Sequence, residues 1–375
     1  MQRIAQDWLV LSELTKHSGT AVGVVMALQF GPPILLMSLA GMVVDRVDRR
    51  KLLIVTQSAM ALTALGLGVL VISGHVTLWQ VYVFAGIMGC ITAFDSPARQ
   101  TFIAELVGDD DLPNAIGLNS SLFNSAQLIG PAVGGVLISL IGAGWVFLLN
   151  SASFIAVIAS LMRMRVSELH QTPRDVSPSG GFFVGLAYIK KKPELIMALV
   201  MLFIVGTYGL NFPVFISTMS ITTFHGGAHL YGILSSMMAI GSVIGALHVA
   251  GKTAPNLSFL ILSALGFGIV GTIAALMPGA VLFGLFLVAL GVTTQMFTTT
   301  ANSLVQLSTD PSMRGRVMAI YMGIFLGCTP LGAPLVGWIA DTYGPRWSLG
   351  VGAAAGFIAA AIGGIYQIRM RNTRK

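Results

Sequence analysis

Charge is scarce in this chain. Only 9% of its 375 residues are Asp, Glu, Lys or Arg, against roughly 25% in a soluble domain. With 55% hydrophobic residues and a mean hydropathy of +0.84, it cannot clothe a water-facing surface, so the bilayer must be its solvent. Long alternating apolar/polar segments are also missing, which argues against a transmembrane barrel. The apolar runs are unbroken and about 20 residues long, as membrane helices require. Cysteine is nearly absent. Cys90 and Cys328 both lie inside apolar runs and read as packing residues rather than as a disulfide or metal pair.

Signatures of covalent chemistry are lacking too. Gly251-Lys252-Thr253 hints at a phosphate loop, but that pattern needs Gly at position 246, which is Ala, and a strand before it. Among the six histidines only His225 and His229 have ligand-like spacing, and they sit in a glycine-rich loop. No metal is expected. No nucleophile elbow or carboxylate pair stands out, so the chain is not expected to be an enzyme.

What is present is a series of spans. Eleven full ones are expected near 21–43, 52–72, 77–95, 114–141, 145–162, 195–216, 230–250, 257–277, 280–304, 317–340 and 346–368. A shorter apolar segment, Ile4 to Leu14, is too short to cross about 30 Å of hydrocarbon. It reads as the outer half of a first helix whose beginning is missing, which gives twelve spans when restored. The fold class is therefore all-α and polytopic.

The loops 44–51, 96–113, 163–194, 251–256 and 305–316, with the tail from 369, hold 18 of the 21 Lys and Arg. By the positive-inside rule these loops and the C-terminus face the cytoplasm. The same rule accounts for the net charge of +7 without nucleic acid. The stretch 163–194 is rich in Pro, Ser and Gly and reads as a linker. Its end, from Phe182 to Lys192, reads as a short interfacial helix. The expected domains are a first bundle (1–162), this linker, a second bundle (195–368) and a basic tail (369–375). Gly130-Pro131-Ala132-Val133-Gly134 echoes Ala333-Pro334-Leu335-Val336-Gly337 in the fifth span of each half, as parallel six-span repeats would.

Three groups of residues carry candidate function. The turn from Gly41 through Asp45, Arg46, Asp48, Arg49 and Arg50 follows an apolar run. Gly41 permits close helix approach. Asp45 suits the N-terminus of another helix, the one opening near Arg316. Arg49, four residues on, faces the same way, and Asp95 is placed to take its other side. The plainer reading is a set of charges that only fixes topology. In the second group, Gly130-Pro131-Ala132-Val133-Gly134-Gly135, proline frees a backbone carbonyl and glycine flattens a packing face. This also fits an ordinary kinked helix. In the third, Arg3 and Asp7 lie four apart within a span, where ionisable residues are costly and functional by default. Asp7 and Arg3 are the candidates for proton coupling, Asp7 taking the proton and so loosening its pairing with Arg3; a static Arg3–Asp7 pair is the alternative. Gln6, Asn119, Asn124, Gln127, Tyr208, Asn211, Gln295 and Met296 are candidates to line a cavity, or simply to bond neighbouring helices.

The spacing Gly-x-x-x-Asp-Arg-x-x-Arg-Arg resembles the signature loop between helices 2 and 3 of the major facilitator superfamily. The Gly-Pro-x-x-Gly-Gly run resembles the helix 5 motif of its proton-coupled exporters. The segment from Gln2 to Trp8, with Ala40 to Arg50, looks like the bacterial exporters of siderophores and macrolides. The resemblance implies two six-helix bundles around a central cavity. It also implies a latch formed by Asp45, Arg49 and Asp95, with Asp48 standing where the motif usually has Gly. The implied function is proton-driven efflux of small amphipathic molecules, without a cofactor, by a monomer in the bacterial inner membrane. An uptake permease, or a non-transporting membrane sensor or assembly factor, are the alternatives.

Overall fold

The computed structural model describes residues 1–166, 169–170, 182–250, 256–310 and 313–373. Some side chains inside these ranges, including those of Asp45 and Asn124, lie outside the description. The described residues are helical almost throughout and contain no strand. In order they form α1 (Gln2–Trp8), which continues as a π-helix (Leu9–Leu14), α2 (Gly19–Leu35), α3 (Met37–Arg46), α4 (Arg49–Ile72) and α5 (Leu78–Arg163). Next come α6 (Phe182–Lys190), α7 (Pro193–Gly209) and α8 (Phe212–Thr218) with a second π-helix (Met219–Thr223). The chain ends with α9 (Ala228–Ala250), α10 (Leu257–Leu276), α11 (Ala280–Leu307), α12 (Arg314–Tyr343) and α13 (Pro345–Thr373).

Among the described residues, nine helical stretches are long and apolar enough to cross a membrane. One of them, Ser125–Arg163, has 39 residues and would be about 59 Å long if straight, roughly twice the hydrocarbon thickness. It is not straight. Gly142 has φ of +82°, a conformation that side-chain-bearing residues seldom adopt. Just beyond it, Gly144 lies so close to Ile72 of α4 that a Cβ would meet its side chain at 2.7 Å. The chain turns here, between the expected spans 114–141 and 145–162. The span expected at 21–43 comes in two pieces. Pro32 and Pro33 sit inside α2 and remove two backbone donors, and the helix restarts after Leu36 (φ −94°, ψ 1°). The span at 195–216 is likewise broken between α7 and α8, around Leu210 and Asn211.

Many large apolar side chains point outward: Leu35, Leu140, Leu247 and Val281 are 71–84% exposed. In water such a surface would aggregate; in lipid it is the solvated face. Burial therefore supplies little drive for helix association, and close packing at small residues takes over. Gly241 lies against the backbone of Val288 and Gly291 against that of Met238, both at distances that leave no room for a Cβ.

The chain forms two compact units. The first takes in Met1–Lys16, Val25–Ser177 and Gly227–Gly232; the second takes in His17–Val24, Pro178–Gly226 and Ile233–Lys375. The expected division was a single cut at the linker. The observed units instead exchange two short stretches, one at the start of α2 and one at the start of α9. These stretches follow parallel features. Each π-helix runs into a histidine with left-handed backbone, His17 (φ 62°) after the first and His225 (φ 51°) after the second. The segments Thr15-Lys16-His17-Ser18-Gly19 and Thr223-Phe224-His225-Gly226-Gly227 are therefore a second internal echo, visible once the backbone is known.

Candidate transport machinery

Asp7 is 1% exposed in the first unit. Its Oδ2 accepts a hydrogen bond of 2.9 Å from the hydroxyl of Tyr231, which is also 1% exposed and lies on the first turn of α9. The other carboxylate oxygen, Oδ1, is buried and has no hydrogen-bond partner among the described residues. An unmet buried acceptor costs free energy of the order of 1–3 kcal/mol. Asp7 is thus a buried acid bonded on one side.

The Gly-Pro motif seats both halves of this pair. Gly135 lies against α9: a Cβ there would fall 2.6 Å from the carbonyl oxygen of Ala228 and 3.0 Å from Cα of Gly232. Gly232 in turn lies against the Pro131 carbonyl, at 2.5 Å from its own would-be Cβ. Gly134 faces Met1 and Ile4 at 3.4–3.7 Å, an ordinary contact, and Gly130 faces nothing within 4 Å. The expected packing face therefore belongs to Gly135 and to Gly232, a residue the sequence reading did not single out.

Arg3 does not take the place expected of it. Among the described residues no Arg3–Asp7 ion pair forms; the guanidinium instead lies 4.8 Å from the centroid of the Phe30 ring. Gln6 accepts from Gln29 Nε2 at 3.0 Å, and Gln2 accepts from Asn150 Nδ2 at 2.5 Å. These amides tie α1 to α2 and α5.

The charged turn also differs from expectation. Asp48 is the N-cap of α4, accepting from the Lys51 N–H at 3.0 Å with φ of −58°. Aspartate is a preferred cap and this backbone needs no glycine, which explains the departure from the family pattern. Arg49 pairs with Glu105 at 2.6 Å, and among the described residues no Arg49–Asp95 pair forms. Arg50 donates to the carbonyls of Leu161 (2.7 Å) and Met162 (2.9 Å), where a cation complements the end of a helix dipole. Asp95, 2% exposed, accepts from Thr56 (2.8 Å) and Gln57 (2.7 Å) and pairs with Arg99 at 2.5 Å. The Arg49–Asp95 half of the expected latch is thus replaced by separate bonds that brace the first unit. The same segments contribute an apolar cluster of Val44, Leu53, Ala98, Phe102 and Leu161. Arg46 is exposed, and a Cβ on Gly41 would meet nothing within 4 Å, so close approach at Gly41 is not observed.

The cavity candidates are scattered. In the first unit Asn119 and Gln127 are exposed, and the Asn124 side chain lies outside the description. In the second, Tyr208 is 37% exposed and Asn211 fully buried. Asn211 donates to the Thr207 carbonyl at 2.7 Å, with its own Oδ1 unpartnered. Gln295, half-buried beside Met296, donates to Thr299 at 3.0 Å.

Two polar clusters of the second unit were not anticipated. Asp341, near the end of α12, accepts from the N–H groups of Gly19 (2.5 Å) and Thr20 (2.9 Å) and from the hydroxyls of Ser18 and Thr20. It caps α2 from 321 residues away. At the base-rich end, Lys192 reaches the Ser308 carbonyl (3.0 Å) and Asp310 (3.1 Å), with its ammonium 4.8 Å from the Tyr188 ring centroid. The hydrogen bond from Lys192, then the one with Tyr188, holds the Asp310 carboxyl below its ordinary range.

A polytopic helical fold with a buried acid in α1 and a Gly-Pro packing motif beside it fits a transporter. Comparison with known proteins makes the class definite. The model of the transmembrane secretion effector family matches residues 1–375, and the chain belongs to that family of the major facilitator superfamily. It is 26% identical over 347 residues to the staphyloferrin A transporter of Staphylococcus aureus, covering 91% of this chain and 86% of that one. It is 22% identical to the enterobactin exporter EntS of Escherichia coli, covering 94% and 83%. The relatives also include a multidrug efflux pump of Mycolicibacterium fortuitum, 25% identical over 91% of this chain and 85% of that one. The fold matches the crystal structure of a D-xylose-proton symporter with a TM-score of 0.72 at 14% identity, over 96% of this chain and 94% of that one.

Proposed function

We propose that this transporter is a proton-coupled exporter of small amphipathic molecules, working by alternating access in a bacterial cytoplasmic membrane with its C-terminus inside. The observation that carries the reading is the buried Asp7, bonded to Tyr231 through one oxygen and unpartnered at the other. Export is supported by the Gly-Pro-x-x-Gly-Gly run, whose Gly135 packs α5 against the start of α9, and by the relatives, which include an enterobactin exporter.

The mechanism follows from the bond. An ionised Asp7 accepts a charge-assisted hydrogen bond from Tyr231; such bonds are roughly twice as strong as neutral ones. Protonation of Asp7 weakens the hold on the first turn of α9. That shifts the balance between two arrangements, and a proton crosses as substrate moves the other way. No covalent bond is made and the proton gradient is the energy source. Asp45 remains the candidate for a latch at the base-rich side.

The test is retention of ethidium, a macrolide and a siderophore in cells expressing the chain, with and without a protonophore. Lower retention that the protonophore abolishes supports the reading. Higher retention than in control cells would indicate uptake, and unchanged retention with the protein shown to be inserted would overturn export of these classes.

A further inference from the structure

Arg3 is the one cation in the membrane part of the first unit's opening helix, and the proton pathway does not use it. It lies eleven residues before Leu14, where the π-helical continuation of α1 ends. At 1.5 Å per residue that places it about 17 Å in from that end, near the middle of a 30 Å hydrocarbon layer. A guanidinium at this depth is costly unless it faces water or an anion. Its natural counter-ion, Asp7, is turned to Tyr231. Among the described residues Arg3 forms no ion pair, and its side chain is not buried.

What it has is a platform. The guanidinium carbon sits 4.8 Å over the Phe30 ring, a cation–π contact. Among the described residues no hydrogen bond occupies its N–H groups, and a guanidinium fork matches a carboxylate or a similar two-oxygen anion. Next to Phe30, Gln29 reaches across to Gln6 at 3.0 Å, which places two amides beside the apolar ring. An aromatic wall, neighbouring amides and an exposed cation with no ion pair among the described residues make a site for an amphipathic anion, not for a neutral or cationic one.

Resting on the exporter reading, we infer that Arg3 anchors an anionic group of the transported molecule, so that the substrates are amphipathic anions. Asp7 and Arg3 then divide the work: the first takes the proton, the second holds the cargo.

The test uses three dyes in cells expressing the full chain: carboxyfluorescein, an anion; Nile red, neutral; and ethidium, a cation. Wild type is expected to expel carboxyfluorescein fastest. Arg3→Gln should slow that export about tenfold or more, equivalent to about 1.4 kcal/mol. Arg3→Lys should restore part of it, because lysine keeps the charge but lacks the fork. Equal slowing of every dye that wild type expels, or unchanged carboxyfluorescein export in Arg3→Gln, would overturn the inference. Fluorescence anisotropy of carboxyfluorescein with purified protein separates this idea from the exporter reading. Binding that Arg3→Gln weakens about tenfold, in the absence of export by wild type, would keep the anion site and remove the exporter reading. Binding unaffected by the substitution, or no binding, would remove the anion site.

Discussion

Asp7 and Asp95 are both carboxylates of the first unit, and both are at most 2% exposed, yet their surroundings are opposite. Asp95 receives donors from Thr56, Gln57 and Arg99, which engage both of its oxygens. Asp7 has Tyr231 on one oxygen and, among the described residues, nothing on the other. A buried acid with a full set of donors is a brace: changing its charge breaks several bonds at once. A buried acid with an unmet oxygen is a place where a proton can arrive with little disruption. Burial alone does not distinguish the two; the count of donors does.

The comparison breaks most sharply on the first substitution. Asp7→Asn should cut proton-driven export about tenfold or more, equivalent to about 1.4 kcal/mol, with little change in the melting temperature of the purified protein. A variant that transports normally would remove Asp7 from the proton path. Asp95→Asn should do the reverse. It leaves Arg99 without its counter-ion and should cost roughly 1–3 kcal/mol of stability, seen as a lower melting temperature in detergent, while export per inserted molecule stays within about twofold. If Asp7→Asn melted early and Asp95→Asn did not, the roles would have to be exchanged.

Gly135→Val sharpens the comparison from outside. It pushes a side chain into the Ala228 carbonyl and should cost about 1–3 kcal/mol by overpacking. Because it displaces the turn that carries Tyr231, export should fall by more than the loss of folded protein explains. Loss of export strictly in proportion to loss of protein would show that the motif only packs helices. The smallest effect belongs to the exposed Asp310. Its carboxyl is held below the ordinary range by Lys192 and Tyr188, so its contribution is present at neutral pH and fades as pH falls through its depressed value. The melting temperatures of wild type and Asp310→Asn should differ slightly above about pH 4, the ordinary carboxylate value, and converge below it. A gap that widened in acid would contradict the Lys192 pairing.

Much of this was legible in the residues themselves. Scarcity of charge, apolar runs of membrane length and the bias of Lys and Arg between loops are local properties, and the bilayer turns them into helices almost without alternatives. The charged turn and the Gly-Pro run sufficed for the family. Asp7 stood out because an acid within a span is costly wherever its neighbours lie.

Partners were not legible. Tyr231 is 224 positions from Asp7, and nothing in its own apolar surroundings marks it as a donor to an acid. The spacing of Arg3 and Asp7 suits a pair, and the spacing of Arg49 allowed Asp95; packing instead gave Arg3 to Phe30, Asp7 to Tyr231, Arg49 to Glu105 and Asp95 to Arg99. The cap of α2 by Asp341 was hidden for the same reason. Helical periodicity fixes which residues share a face of one helix. Which faces meet is settled by small residues such as Gly135 and Gly232, whose close approach between distant segments is a property of three dimensions. The sequence therefore determined the solvent, the helices and the family, and the tertiary structure decided which buried carboxylate has donors on both oxygens and which on one, because that depends on which helix faces meet.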